Sequence, residues 1–175
     1  MLYISGDRTG LPRPPAFLDP SVSEEVILEN GVNYASGGGG ILNETGAYFV
    51  SVMIHTLCIL QALCKYIRMK IVLLLQIQKF SLDKQIELFQ GTQKLIRGKI
   101  GKSAADKFFK EGRYVVALGS NDFINNYLMP VYRDSWTYND DTFLDYLIGT
   151  LERQLKVYLV YIYILTQLFS VSFCI

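Results

Sequence analysis

Residues Gly31–Gly46 read Gly-Val-Asn-Tyr-Ala-Ser-Gly-Gly-Gly-Gly-Ile-Leu-Asn-Glu-Thr-Gly. A short apolar run breaks abruptly into four consecutive glycines. The pattern predicts a buried strand over Val32–Ala35 that enters a loop whose backbone comes close to something. Glycines carry no side chain and permit positive φ, so backbone N–H groups can point into a site. A flexible turn is the plainer meaning of the same residues. A nucleotide site fits less well. No Gly-Lys-Ser/Thr ending follows for a P-loop, and the spacing does not suit a dinucleotide fingerprint.

The rest of the chain narrows what this loop can serve. At 175 residues there is room for one domain with a core. A formal charge of +1 argues against nucleic acid held by bulk electrostatics. Half of the residues are apolar and 19% are charged, which is greasy for a water-soluble domain. The apolar residues concentrate in 50–76 and 157–175, as do all three cysteines, Cys58, Cys64 and Cys174. None of the three has the spacing of a metal or redox motif, so neither a metal site nor a disulfide framework is expected, and no cofactor is implied. The first residues, Met1 to Asp7, lack the long apolar core of a signal peptide.

Taken in order, residues 11–20 form a proline-rich, extended connector. Ser21–Glu29 suggests a short helix. Asn43-Glu44-Thr45 is an N-glycosylation sequon, relevant only to a chain that enters the secretory pathway. Ser81–Lys99 has helical periodicity, with Leu82, Ile86, Phe89, Leu95 and Ile96 approximating one face. A second helix, capped at Ser103 and carrying Asp106, runs to about Glu111 and stops at Gly112. Tyr114–Leu118 is an apolar run without alternation, as expected of a strand covered on both faces in a parallel sheet. It ends in Gly119-Ser120-Asn121-Asp122, a polar turn at the strand's carboxyl end, where open α/β sheets place their sites. Asn139 or Asp140 caps a last helix to about Lys156, with Phe143, Leu147, Leu151 and Leu155 on one face. Helices alternating with buried strands give an α/β class.

The two loop motifs, with Leu-Gly-Ser-Asn-Asp-Phe-Ile-Asn-Asn-Tyr at the second, resemble the plant GDSL-type esterase/lipase family of the SGNH hydrolases. The resemblance covers roughly residues 4–49 and 77–156. It implies a three-layer α/β sandwich around a parallel sheet, of the SGNH or flavodoxin-like kind, here incomplete. It also implies hydrolysis of carboxylic esters, with an acyl ester, lipid or other, as the substrate. Such proteins are typically secreted. In the family a Ser attacks the acyl carbon, a His takes its proton and an Asp orients the His. The tetrahedral oxyanion is held by the Ser backbone N–H, a Gly backbone N–H and an Asn side chain. Matched motif by motif, that Gly is Gly37 and that Asn is Asn121. Both are neutral donors suited to a developing negative charge, and losing one such donor typically costs about 10²–10³ in rate. A turn or helix-cap role is the alternative for Asn121. Asp122 reads as a cap or loop brace, not as the triad acid.

The departures are as informative as the match. The family's Gly-Asp-Ser motif lies upstream of anything here, since Ser5-Gly6-Asp7 runs in the wrong direction. Its Asp-x-x-His motif lies beyond Lys156. The one histidine, His55, sits in the apolar insertion and reads as a stray residue, not as a base. The chain is therefore expected to be truncated at both ends and to hydrolyse no ester alone. Its expected organisation is a partial hydrolase domain over 1–156, interrupted by 50–76 and followed by an apolar tail, 157–175. Both foreign segments begin with Val and the first ends with Gln, compatible with the GT and AG borders of introns, so translated introns are the expectation. The rival expectation is membrane association through 157–175 and 47–76, which together with a binding role would make the chain a non-enzymatic remnant. A missing central strand would leave the sheet poorly held.

Overall fold

The computed structural model describes residues 13–47, 79–129, 134–162 and 170–171, with the side chains of 134–135, 157–162 and 170–171 left aside. The apolar insertion with His55, Cys58 and Cys64, and most of the tail with Cys174, lie outside the described residues. The chain divides into two compact units, Met1–Ala35 with Gln85–Gly112, and Ser36–Lys84 with Arg113–Ile175.

The first unit begins with the connector. Ala16 and Asn33 form an isolated parallel bridge, with Phe17 N donating to Asn33 O at 2.9 Å and Asn33 N to Pro15 O at 2.8 Å. The strand expected over Val32–Ala35 goes no further than this bridge. Asn33 Oδ1 accepts Ala35 N at 2.9 Å, a local side-chain bond that turns the backbone away from a ladder. Helix α1, Glu24–Asn30, starts where Ser23 Oγ accepts Val26 N, has Glu24 and Glu25 in its first turn, and ends at Gly31 with φ 72°.

Helix α2, Leu82–Ile100, follows the expected periodicity with one correction. Leu82, Phe89 and Ile96 are buried, but Leu95 is 54% exposed and the inward positions beside Phe89 and Ile96 are taken by Thr92 and Gln93. Thr92 fits there because its Oγ1 accepts the Tyr34 hydroxyl at 2.7 Å. Helix α3, Lys102–Glu111, starts at Gly101 with no side-chain cap, so Ser103 lies inside the helix and is not its cap. Asp106 instead receives Arg97 Nη2 at 3.0 Å and Nε at 3.1 Å. Aromatic rings join the unit, with Tyr34 edge-on to Phe89 at 6.0 Å and Phe89 edge-on to Phe109 at 5.6 Å.

In the second unit β1, Val115–Val116, pairs in parallel with β2, Ser170–Val171, Val115 opposite Ser170 and Val116 opposite Val171. The expected strand over Tyr114–Leu118 is thus shorter than read, and it is not covered on both faces, for Val115 is 64% exposed and burial alternates along the run. Among the described residues this pair is the whole sheet. Gly119–Asp122 is a helix start, not a polar turn. Helix α4, Ser120–Asp122, widens directly into a π-helix, Phe123–Tyr127, in which Leu128 N reaches back to Phe123 O at 2.8 Å. Helix α5, Asp134–Thr137, precedes α6, Asp140–Ile162, which is capped by Asn139 as expected. Asn139 Oδ1 accepts Thr142 N and Thr142 Oγ1 accepts Asn139 N, both at 2.9 Å. Phe143, Leu147 and Leu151 bury the inner face of α6, and Tyr127 stacks on Phe143 at 4.4 Å. Among the described residues no helix is long and apolar enough to cross a membrane.

Candidate functional site

The glycine loop and the Gly119–Asp122 segment meet inside the second unit, and Asp122 joins them. Its side chain is fully buried. Oδ2 accepts Ile41 N at 2.9 Å, while Oδ1 accepts Leu42 N at 2.9 Å and the Thr45 hydroxyl at 2.6 Å. Three donors from one loop thus converge on one carboxylate some eighty positions away. An acceptor-only group with two oxygens suits this task, because a buried charge is tolerated only where its lone pairs are satisfied. Asp122 is therefore the brace of the loop.

The glycines permit that approach. A Cβ on Gly40 would sit 2.5 Å from Asp122 Oδ1, and one on Gly39 would sit 2.2 Å from Phe80 O. No side chain fits at either position. Further bonds close the loop on its flanks. Ser36 Oγ accepts Phe80 N at 2.8 Å, Gly40 O accepts Leu82 N at 2.9 Å, and Gln154 Nε2 donates to Ile41 O at 3.0 Å. The Lys79 ammonium donates to Thr45 O and to Asn43 O. Burial pushes its pKa below the usual lysine value, against the opposing pull of Glu44 and Asp122.

The two candidate oxyanion donors occupy different parts of this frame. Asn121 does not cap the helix, since Gly119 holds that position. Its Nδ2 donates to Gly39 O at 2.8 Å, and its Oδ1 accepts Asn125 Nδ2 at 3.0 Å. The amide is thereby oriented with its nitrogen toward the glycine loop, and its second hydrogen has no acceptor among the described residues. Gly37 lies in the turn Ser36–Gly39, closed by Gly39 N to Ser36 O at 3.1 Å. A Cβ there would meet nothing within 4 Å, and among the described residues nothing accepts its N–H. Gly37 and the amide of Asn121 therefore offer neutral N–H groups on or against the same loop, the kind of donor that stabilises developing negative charge.

A cleft of about 310 Å³ borders the far part of the loop, lined among others by Leu42, Asp83, Arg153 and Gln154, with neither Gly37 nor Asn121 in its wall. Among the described residues no group of His, Cys, Asp or Glu could hold a metal ion. The roles of Thr45, Lys79 and Gln154 carry no local sequence signal, because each depends on a partner brought close only by the fold.

The chain aligns with GDSL esterase/lipases of Arabidopsis thaliana. One is 65% identical over 154 residues, covering 88% of this chain and 35% of that protein. A second is 37% identical over 152 residues, covering 87% and 35%, and a third is 36% identical over 143 residues, covering 80% and 31%. The chain thus spans about a third of the length of these relatives. No protein-family model and no solved structure matches it. With both loop motifs inside this stretch, the chain belongs to the GDSL esterase/lipase family.

Proposed function

We propose that this chain carries the oxyanion-binding part of a hydrolase that cleaves carboxylic ester bonds. Gly37 supplies a backbone N–H and Asn121 a carboxamide N–H to the oxygen that gains charge as the acyl carbon becomes tetrahedral. Asp122 holds the loop that presents them, and Asn125 fixes the Asn121 amide. The frame belongs to a three-layer α/β sandwich whose other parts lie in the remaining two thirds of the relatives' length. The observation that carries the reading is the convergence of Asn121 and Asp122 on one glycine loop, Asn121 on Gly39 O and Asp122 on the Ile41 and Leu42 N–H groups.

Among the described residues there is no histidine to serve as the base, so the test takes the rest of the family's length from a relative. The test is a chimera in which this chain replaces the matched stretch of the 65% identical relative. The chimera hydrolyses the nitrophenyl ester and is stopped by a serine-directed phosphonate. A folded chimera without activity, beside an active parent, would contradict the proposal.

A further inference from the structure

The sequence holds a single Asn-x-Ser/Thr motif, Asn43-Glu44-Thr45, and it lies inside the braced loop. The two residues that define it have opposite surroundings. Asn43 is exposed, and its Nδ2 donates to Asp83 Oδ2 at 2.9 Å. Thr45 is fully buried, and its hydroxyl is spent on Asp122 at 2.6 Å. Ser and Thr share only the hydroxyl among their polar side-chain groups, so a transferase that accepts either reads that group. In the folded loop it cannot be reached.

We propose that Asn43 is an N-glycan acceptor that is modified only before its loop closes on Asp122, and that the folded loop then carries the glycan at the surface. In the transfer, Asn43 Nδ2 forms a bond to the anomeric carbon of an oligosaccharide. The bond from that carbon to a polyprenyl diphosphate breaks, its electron pair leaves with the diphosphate, and one Nδ2 proton passes to a base. The product amide keeps one N–H, enough for its single bond to Asp83. Asn43 O and Thr45 O stay with Lys79, and the Thr45 hydroxyl then turns to Asp122. Modification and folding thus use the same hydroxyl in sequence.

The test has two arms. The full chain behind a cleavable secretion leader is translated with microsomes and digested with peptide N-glycosidase. One glycan's mobility shift is expected, removed by the glycosidase and absent from Asn43→Gln and Thr45→Val. An unshifted parent chain would overturn acceptor status. In the second arm the chain is folded first, with slow exchange of the Ile41 and Leu42 amides as evidence of a closed loop, then given to detergent-solubilised transferase and a lipid-linked oligosaccharide. At least a tenfold lower occupancy than for urea-unfolded chain diluted into the same mixture is expected. Equal occupancy of closed and unfolded chain would overturn the ordering.

Discussion

Replacing Asp122 by alanine should open the glycine loop while leaving the first unit intact. The carboxylate satisfies Ile41 N, Leu42 N and the Thr45 hydroxyl, on residues that are at most 3% exposed. A buried donor left without a partner costs about 1–3 kcal/mol, so three stranded donors set a ceiling of about 9 kcal/mol. Removing a buried carboxylate also relieves its desolvation, and an opened loop admits water, so the expected loss lies near the low end, about 3–4 kcal/mol. That is a large share of the ~5–15 kcal/mol of an ordinary domain. Asp122→Asn keeps one acceptor oxygen but turns an NH₂ toward a donor, and it falls between the two. Urea unfolding gives the loss, and native-state hydrogen exchange locates it at the Ile41 and Leu42 amides, with the α1 amides unchanged. A loss of under 1 kcal/mol for Asp122→Ala, with both amides as protected as before, would refute the assignment of Asp122 as the brace.

The neighbouring glycines separate structure from chemistry. Gly40→Ala pushes a methyl into the Asp122 carboxylate and should destabilise by about 2 kcal/mol or more, whereas Gly37→Ala meets nothing within 4 Å and should stay within about 0.5 kcal/mol; parallel urea melts check both. Burial pushes the Tyr34 hydroxyl from its usual 10 up to about 12. Its contribution is therefore fully present below pH 10 and is lost as pH rises towards 12, by about 1–2 kcal/mol once partial exposure is allowed for. Tyr34→Phe should lose about 1 kcal/mol at neutral pH, with the Thr92 bond, and lack that alkaline decline in pH-dependent melts. Asn126 is fully buried and neither of its amide atoms has a hydrogen-bond partner among the described residues, so Asn126→Leu should be neutral or stabilising by thermal denaturation.

What the sequence made legible was the local part of the fold. Asn139 and the period of Phe143, Leu147 and Leu151 mark a helix through neighbours within a turn or two, so α6 starts where the pattern puts it, though it runs to Ile162 and not to about Lys156, and α1 begins at Glu24, three residues after the expected Ser21. Leu95 misled because an apolar residue can sit on an exposed face without penalty, while Thr92 turns inward with a partner, the Tyr34 hydroxyl, that periodicity does not show. The strand at Val32–Ala35 failed against a competing bond from Asn33, and Val115 failed as a two-sided core position because its surroundings are decided by distant chain. At the candidate site the two loops were readable as motifs. Their meeting was not, because it depends on Asp122 and Asn121 reaching across about eighty residues, and no local pattern encodes such a pairing.

Under the proposed function, Asn121 stabilises charge that exists only in the transition state. This role is tested most directly by kcat for nitrophenyl ester hydrolysis in the chimera with and without Asn121→Ala. The stability cost of the lost Gly39 bond, about 1 kcal/mol, leaves the protein folded, so the comparison reads chemistry. The expected outcome is a fall in kcat of about 10²–10³ with KM nearly unchanged. A folded Asn121→Ala chimera with kcat within about threefold of its parent would contradict it.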